Sequence, residues 1–173
     1  MTADAWREYL TQYSRATRGE DWSGNAPADP AAIAAAERRL GMALPPSLRA
    51  FYAVSNGWAH EIGSYGGLVI LPVEQIGWFP DLLPESYLLP EVAGWAVSET
   101  GRVEQEAEAI VLRRSLVVST EGEEAACWLL DPATVSPAGE WAAACPEVVM
   151  DADWLPEGFA ALFVDQAKLL LEE

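Results

Sequence analysis

Between Asp29 and Trp58 the chain punctuates itself in a way that few folds accommodate. Asp29-Pro30 opens an alanine-rich run that stops at Gly41. Leu44-Pro45-Pro46 comes next, then a second apolar-faced run, then Asn56-Gly57. Asp29 can accept from the free N–H groups of a first turn, and Pro30 suits the first helical position because it has no N–H to leave unpaired. Ala31 to Leu40 has high helix propensity, and three/four spacing puts Ile33, Ala36 and Leu40 on one face. Gly41 supplies the left-handed residue that commonly ends a helix. Pro45 disfavours helical geometry at Leu44, and Pro46 can start a second helix reaching about Ser55. Leu48, Phe51, Tyr52 and Ser55 then lie on one side. Asn56 and Gly57 both tolerate positive φ and close it. These signals together predict a helical hairpin packed on a sheet, and its residues read first as structural.

The order and spacing of these residues resemble the signature of the SUKH superfamily, which contains fungal cell-wall assembly regulators and bacterial toxin-immunity proteins. Glu37, Leu40-Gly41, Leu44-Pro45, Phe51 and Asn56-Gly57 match that pattern as they stand. The resemblance is specific over the helical hairpin and architectural beyond it. It implies a SUKH-like domain over residues 30–171; residues 1–29, outside the resemblance, are expected to add an N-terminal helix and connection to the same compact unit. It also implies a protein that works by binding another protein and catalyses nothing.

A length of 173 residues suits one domain with a substantial core, and a chain half hydrophobic with eight tryptophans is not disordered. No run approaches the length of a membrane span, and Met1 to Leu10 lacks an apolar signal core, so a cytoplasmic location is expected. Cys127 and Cys145 are too few for a disulfide framework or a zinc cage and read as buried free thiols; a bond would need their strands to be adjacent.

Charge is unevenly spread. Residues 1–55 carry six arginines against six acids, whereas residues 56–173 carry four bases against 21 acids and so hold the whole net charge of −17. That argues against a phosphate-tracking nucleic-acid binder, which needs a basic footprint. It suits a basic protein partner, because opposite fields steer encounter, although net negative charge also simply keeps a protein in solution.

Along the rest of the chain, Trp6, Tyr9, Leu10 and Tyr13 predict an amphipathic helix over Trp6 to Thr17. Leu68 to Leu71 predicts a buried strand and Val73 to Ile76 a turn or short helix. Residues 77–94, rich in Gly, Pro and aromatics, predict a long ordered loop with room for one helical turn, and long loops in compact domains are often functional. Val103 to Leu112 reads either as a helix or as an irregular lead into a strand. Leu116 to Ser119 and Ala125 to Leu130 predict a hairpin closed at Glu121-Gly122-Glu123, with Asp131-Pro132 breaking the returning strand. Glu140 to Ala144 predicts a last short strand. A terminal helix begins near Pro156-Glu157, its apolar face drawn from Phe159, Leu162, Phe163, Leu169 and Leu170. The expected class is α+β: a single domain with N-terminal helices packed on a mostly antiparallel sheet and a C-terminal helix.

Reactive constellations are weak. His60 is the one histidine, which excludes a His-based metal cluster, and nothing local activates Cys127, Cys145 or Ser64 as a nucleophile. Asp151 and Asp153 lack the further ligands of a calcium loop. The acids at 104, 106, 108, 121, 123 and 124 could pair for glycoside hydrolysis but are more simply a solvated face. Gly63 to Gly67 lacks the Lys-Ser/Thr of a phosphate loop. No catalytic, cofactor or metal residue is assigned. The leading expectation is an immunity protein that neutralises a cognate basic toxin, with nucleases as a candidate class. Trp78 and Phe79 would be apolar anchors, and Glu104, Glu106 and Glu108 a steering patch. A regulatory adaptor for an endogenous partner and an acid-dependent hydrolase are the alternatives.

Overall fold

The structure is a computed structural model that describes residues 1–22, 24–61, 67–84, 109–120, 127–146 and 153–172. Three helices come first: α1 (Ala3–Arg18), α2 (Pro30–Leu40) and α3 (Pro46–Tyr52). Strands β1 (Trp58–Glu61) and β2 (Gly67–Ile70) come next, then β3 (Gly77–Trp78) and the short helix α4 (Phe79–Leu82). Residues 109–114 are helical and lead into β4 (Leu116–Thr120), β5 (Cys127–Val135) and β6 (Trp141–Ala144). Helix α5 (Phe159–Glu172) ends the chain. The class is α+β, and every described strand pair is antiparallel.

The strands form a two-stranded sheet, β1-β2, and a four-stranded sheet in the order β3-β4-β5-β6. The Leu71 N–H donates to the Val118 carbonyl (2.9 Å), which ties the end of β2 to β4. Period-2 alternation along β4 and β5 decides what each face meets. Leu116, Val118, Trp128 and Leu130 join the large core under α1, α3 and α5, whereas Val117, Cys127 and Leu129 face a small second core with Phe79 and Leu112. The sheet is therefore covered on both sides.

The large core centres on Trp6, whose ring lies 5.2 Å from Phe51, 5.6 Å from Phe159 and 5.1 Å from Phe163. Its indole N–H donates to the Ser47 carbonyl (2.9 Å), so a large apolar ring is buried with its polar handle satisfied. Burial of such a ring stabilises by about 2–3 kcal/mol. Exposed pairs such as Arg7–Asp4 contribute little beside that. The first and last helices thus share one core with the hairpin between them.

Helix ends obey the sequence rules at most positions. Asp29 accepts from the Ala31 N–H (2.7 Å), and Gly41 sits at φ 77°. Helix α3 lacks a local cap, because its N-cap is Pro45. The carboxylate of Glu140, 93 positions away and 8% exposed, instead accepts from the Ser47 N–H (2.9 Å) and the Ser47 hydroxyl (2.7 Å). An anion at a helix N-terminus satisfies free donors and meets the positive end of the dipole.

Two expectations are corrected, and two strands are added that the sequence did not announce. Helix α3 stops at Tyr52 rather than near Ser55, because the 24–28 connection recruits Ser55 and Asn56: Asn56 N–H donates to the Ala26 carbonyl, and Asn25 N–H to the Ser55 hydroxyl. Residues 58–61 form a strand that no apolar run in the sequence announces. The 77–94 segment begins with β3, which was not expected, followed by α4, the one helical turn for which the sequence left room. Strand β5 does not break at Asp131-Pro132 but continues to Val135 through an irregularity between Asp131 and Val135. The Asp131 carboxylate accepts there from Ala133 N–H (3.0 Å) and the Thr134 hydroxyl (2.8 Å), which stabilises the bulge and accommodates a proline without an N–H. Arg114 donates to both oxygens of Asp131 at 2.7 Å.

Candidate functional site: a groove beside the helical elbow

The signature residues are pins. Glu37 accepts from Leu44 N–H (3.2 Å) and Arg49 Nε (3.1 Å), closing the elbow between α2 and α3. Leu40, Leu44 and Phe51 are buried in the large core. Pro45 forms the corner in extended geometry (φ −61°, ψ 149°). Asn56 accepts from Val73 N–H (2.8 Å) through its side-chain carbonyl and donates to Glu74 Oε2 (3.0 Å). Gly57 sits at φ 84°, and a Cβ there would meet the Ile70 carbonyl at 2.9 Å and Pro72 N at 3.1 Å. Only glycine accepts both the left-handed backbone and that approach.

Arg39 joins this set although sequence reasoning gave it no role. It donates to the carbonyls of Ile76 (2.7 Å), Val73 (3.3 Å) and Glu74 (3.3 Å), clamping the 73–76 turn to the end of α2. A basic residue in a last helical turn is ordinary for the helix dipole, so no sequence signal marks its long-range partners.

The clamped turn, β3 and α4 enclose a groove of about 570 Å³ against the C-terminal end of α2. Its apolar lining includes Trp78, half-buried, and Leu82, 38% exposed; its carboxylates are Glu74 and Asp81, both exposed. Among the described residues the Asp81 carboxylate has no hydrogen bond or ion pair, and Glu74 is engaged through its bond from Asn56. Arg39 also lines the groove, with its donors directed to the turn carbonyls.

Of the residues expected to bind a partner, Trp78 is thus on a groove wall. Phe79 is not an exposed anchor: it is 0% exposed in the second core, against Leu112, Val117, Cys127 and Leu129. The chain turns from β3 into α4 between these neighbours, so one ring packs beside the large core and the other enters the small one. Glu104, Glu106 and Glu108 lie outside the described residues, as do Ser64, Asp151 and the acids at 121, 123 and 124.

Burial pushes the Cys127 thiol up to about 11, a poor value for a nucleophile at neutral pH. Neither Cys127 nor Cys145 forms a disulfide. His60 lies on β1 opposite Leu68. Among the described residues no group of three or more His, Cys, Asp or Glu side chains is placed to hold a metal, and no helix is long and apolar enough to cross a membrane.

No curated protein matches this chain. A family model does: that of the SMI1/KNR4 family (SUKH-1), over residues 27–143. The matched span holds the elbow, the groove and the sheet through most of β6, and leaves out α1 and α5. With its signature residues acting as the pins of that span, and more than half of its length matched, the chain belongs to the SMI1/KNR4 family, SUKH-1.

Proposed function

We propose that this protein is an immunity-type binder that neutralises a basic toxin domain by direct contact. The family includes toxin-immunity proteins, and its members act through protein–protein contacts as generally non-catalytic domains. The observation that carries the reading is the charge distribution: the whole net charge of −17 arises after residue 56. A surface of one sign raises encounter rates with a partner of the other and disfavours wrong ones. A nuclease is the toxin class it complements best, since such a domain carries positive charge for its own substrate.

In this reading Glu104, Glu106 and Glu108 steer association, and Trp78 supplies an anchor in the groove. Interfaces concentrate their energy in a few aromatic residues, while peripheral charge sets the approach.

The test is co-purification from native lysate with mass spectrometry, then association kinetics with the purified partner at low and high salt. The expected partner is basic, binds with a steeply salt-dependent association rate, and loses its toxicity when bound. Reversing Glu104, Glu106 and Glu108 to lysine should slow association and flatten the salt slope. Trp78→Ala should mainly raise the dissociation rate. A partner of neutral or negative charge, or one whose activity survives binding, would sink the toxin reading and favour a regulatory adaptor.

A further inference from the structure

We infer that the groove between the end of α2, the 73–76 turn and α4 receives an arginine from an extended segment of the partner, its stem against Trp78 and Leu82 and its guanidinium on Asp81 and Glu74. The inference rests on the protein-binding reading above and adds the chemistry of the contact.

Three features of the groove select this occupant. Its volume of about 570 Å³ takes a few side chains and not a folded domain. Its two carboxylates outnumber its one guanidinium, and that guanidinium is already directed to the carbonyls of Ile76, Val73 and Glu74. An anionic ligand would therefore find no free fork of donors on Arg39 and would meet two like charges. A cation meets Asp81, whose carboxylate is unengaged among the described residues, and Glu74, whose position is held by Asn56. The apolar wall then favours arginine over lysine. A planar, weakly hydrated guanidinium bonds carboxylates in a fixed fork beside apolar surface, whereas an ammonium holds its water more tightly.

The test uses the full chain, isotope-labelled, titrated with capped pentapeptides of sequence Gly-Leu-Xaa-Leu-Gly in which Xaa is Arg, Lys or Glu. The arginine peptide should shift the Trp78 indole N–H, the Leu82 methyls and the Gln75 and Gly77 amides. The lysine peptide should bind about threefold more weakly and the glutamate peptide should not bind. Asp81→Asn should raise the dissociation constant about fivefold, and the Glu74→Lys/Asp81→Lys pair should abolish the shifts. Asp81 and Glu74 are both exposed, so these variants leave the core alone, and an amide fingerprint of each verifies that the loss of the Asn56–Glu74 bond in the double variant leaves the fold intact.

Absence of shifts at the groove, equal binding of the glutamate peptide, or indifference to Asp81→Asn would overturn the inference. The two proposals fail separately. A basic partner that binds the groove variants as tightly as the parent leaves the toxin reading standing and removes the groove. Arginine-peptide binding at Trp78, with no basic partner found, does the reverse.

Discussion

The elbow and the groove are built from neighbouring residues, yet they use polar side chains in opposite ways. In the elbow each charged or amide group that matters is engaged internally: Glu37 with Leu44 and Arg49, Arg39 with three turn carbonyls, Asn56 with Val73 and Glu74. In the groove the Asp81 carboxylate is left open, among the described residues, beside a half-buried indole. A polar group whose partners lie within the fold stabilises the fold. One held in place without a partner has its bonding capacity free for another molecule. Asn56 stands at the border, since it braces the elbow with one end and orients a groove carboxylate with the other.

The contrast is broken or sharpened most strongly at Gly57. Gly57→Ala places a Cβ at 2.9 Å from a carbonyl oxygen on a left-handed backbone and should cost about 3 kcal/mol in urea melts. Gly41→Ala, at φ 77° but with no atom within 4 Å of the added Cβ, should cost about 1 kcal/mol. Equal losses would mean that backbone conformation alone, and not the close approach to β2, makes Gly57 necessary.

Asn56→Ala should cost about 2 kcal/mol, because it removes the acceptor for the N–H of Val73, a fully buried residue. It should also weaken partner binding by releasing Glu74. A variant that lost stability but bound normally would separate elbow from groove.

Asp131 extends the comparison to the β5 bulge. Burial pushes its pKa up, but Arg114 and the donors of Ala133 and Thr134 outweigh that and hold it below the ordinary carboxylate range. A depressed folded pKa means that the unfolded chain takes up the proton first as pH falls. The stabilisation is therefore present above the unfolded value of about 3.9 and disappears as pH drops through the folded one. Asp131→Asn should cost about 1–2 kcal/mol at neutral pH and progressively less below about pH 4, measured by urea melts across that range. A cost independent of pH would show that the bulge needs the side chain's shape and not its charge.

The smallest effect should come from Asp81→Asn, with stability within about 0.5 kcal/mol of the parent. Thermal melts showing a clear loss would place Asp81 among the pins and erase the distinction between the two regions.

Most of the helical hairpin was legible in the chain because its signals are local. Asp29-Pro30, Gly41 and Pro45-Pro46 act within one turn of themselves, and the helices they bound lie where they indicate. Strand β4 and the start of β6 were legible from short apolar runs. The misses share another cause. At Asp131-Pro132 the local rule for a strand break lost to a carboxylate that accepts from the Ala133 N–H and the Thr134 hydroxyl where the ladder is interrupted. At Phe79 composition marked an aromatic-rich loop but could not say that consecutive residues enter different cores.

By itself the sequence determined the element types over the elbow, the α+β class, the family signature and the sign of the charge, because propensity, capping and net charge depend on residue identity and near neighbours. Tertiary structure alone decided the rest. It placed Glu140 at the N-terminus of α3 across 93 positions and turned Arg39 onto the 73–76 carbonyls. It put Trp78 on a wall and Phe79 in a core. Those outcomes depend on which donors lack acceptors once the layers have packed, and that is set by how distant segments meet.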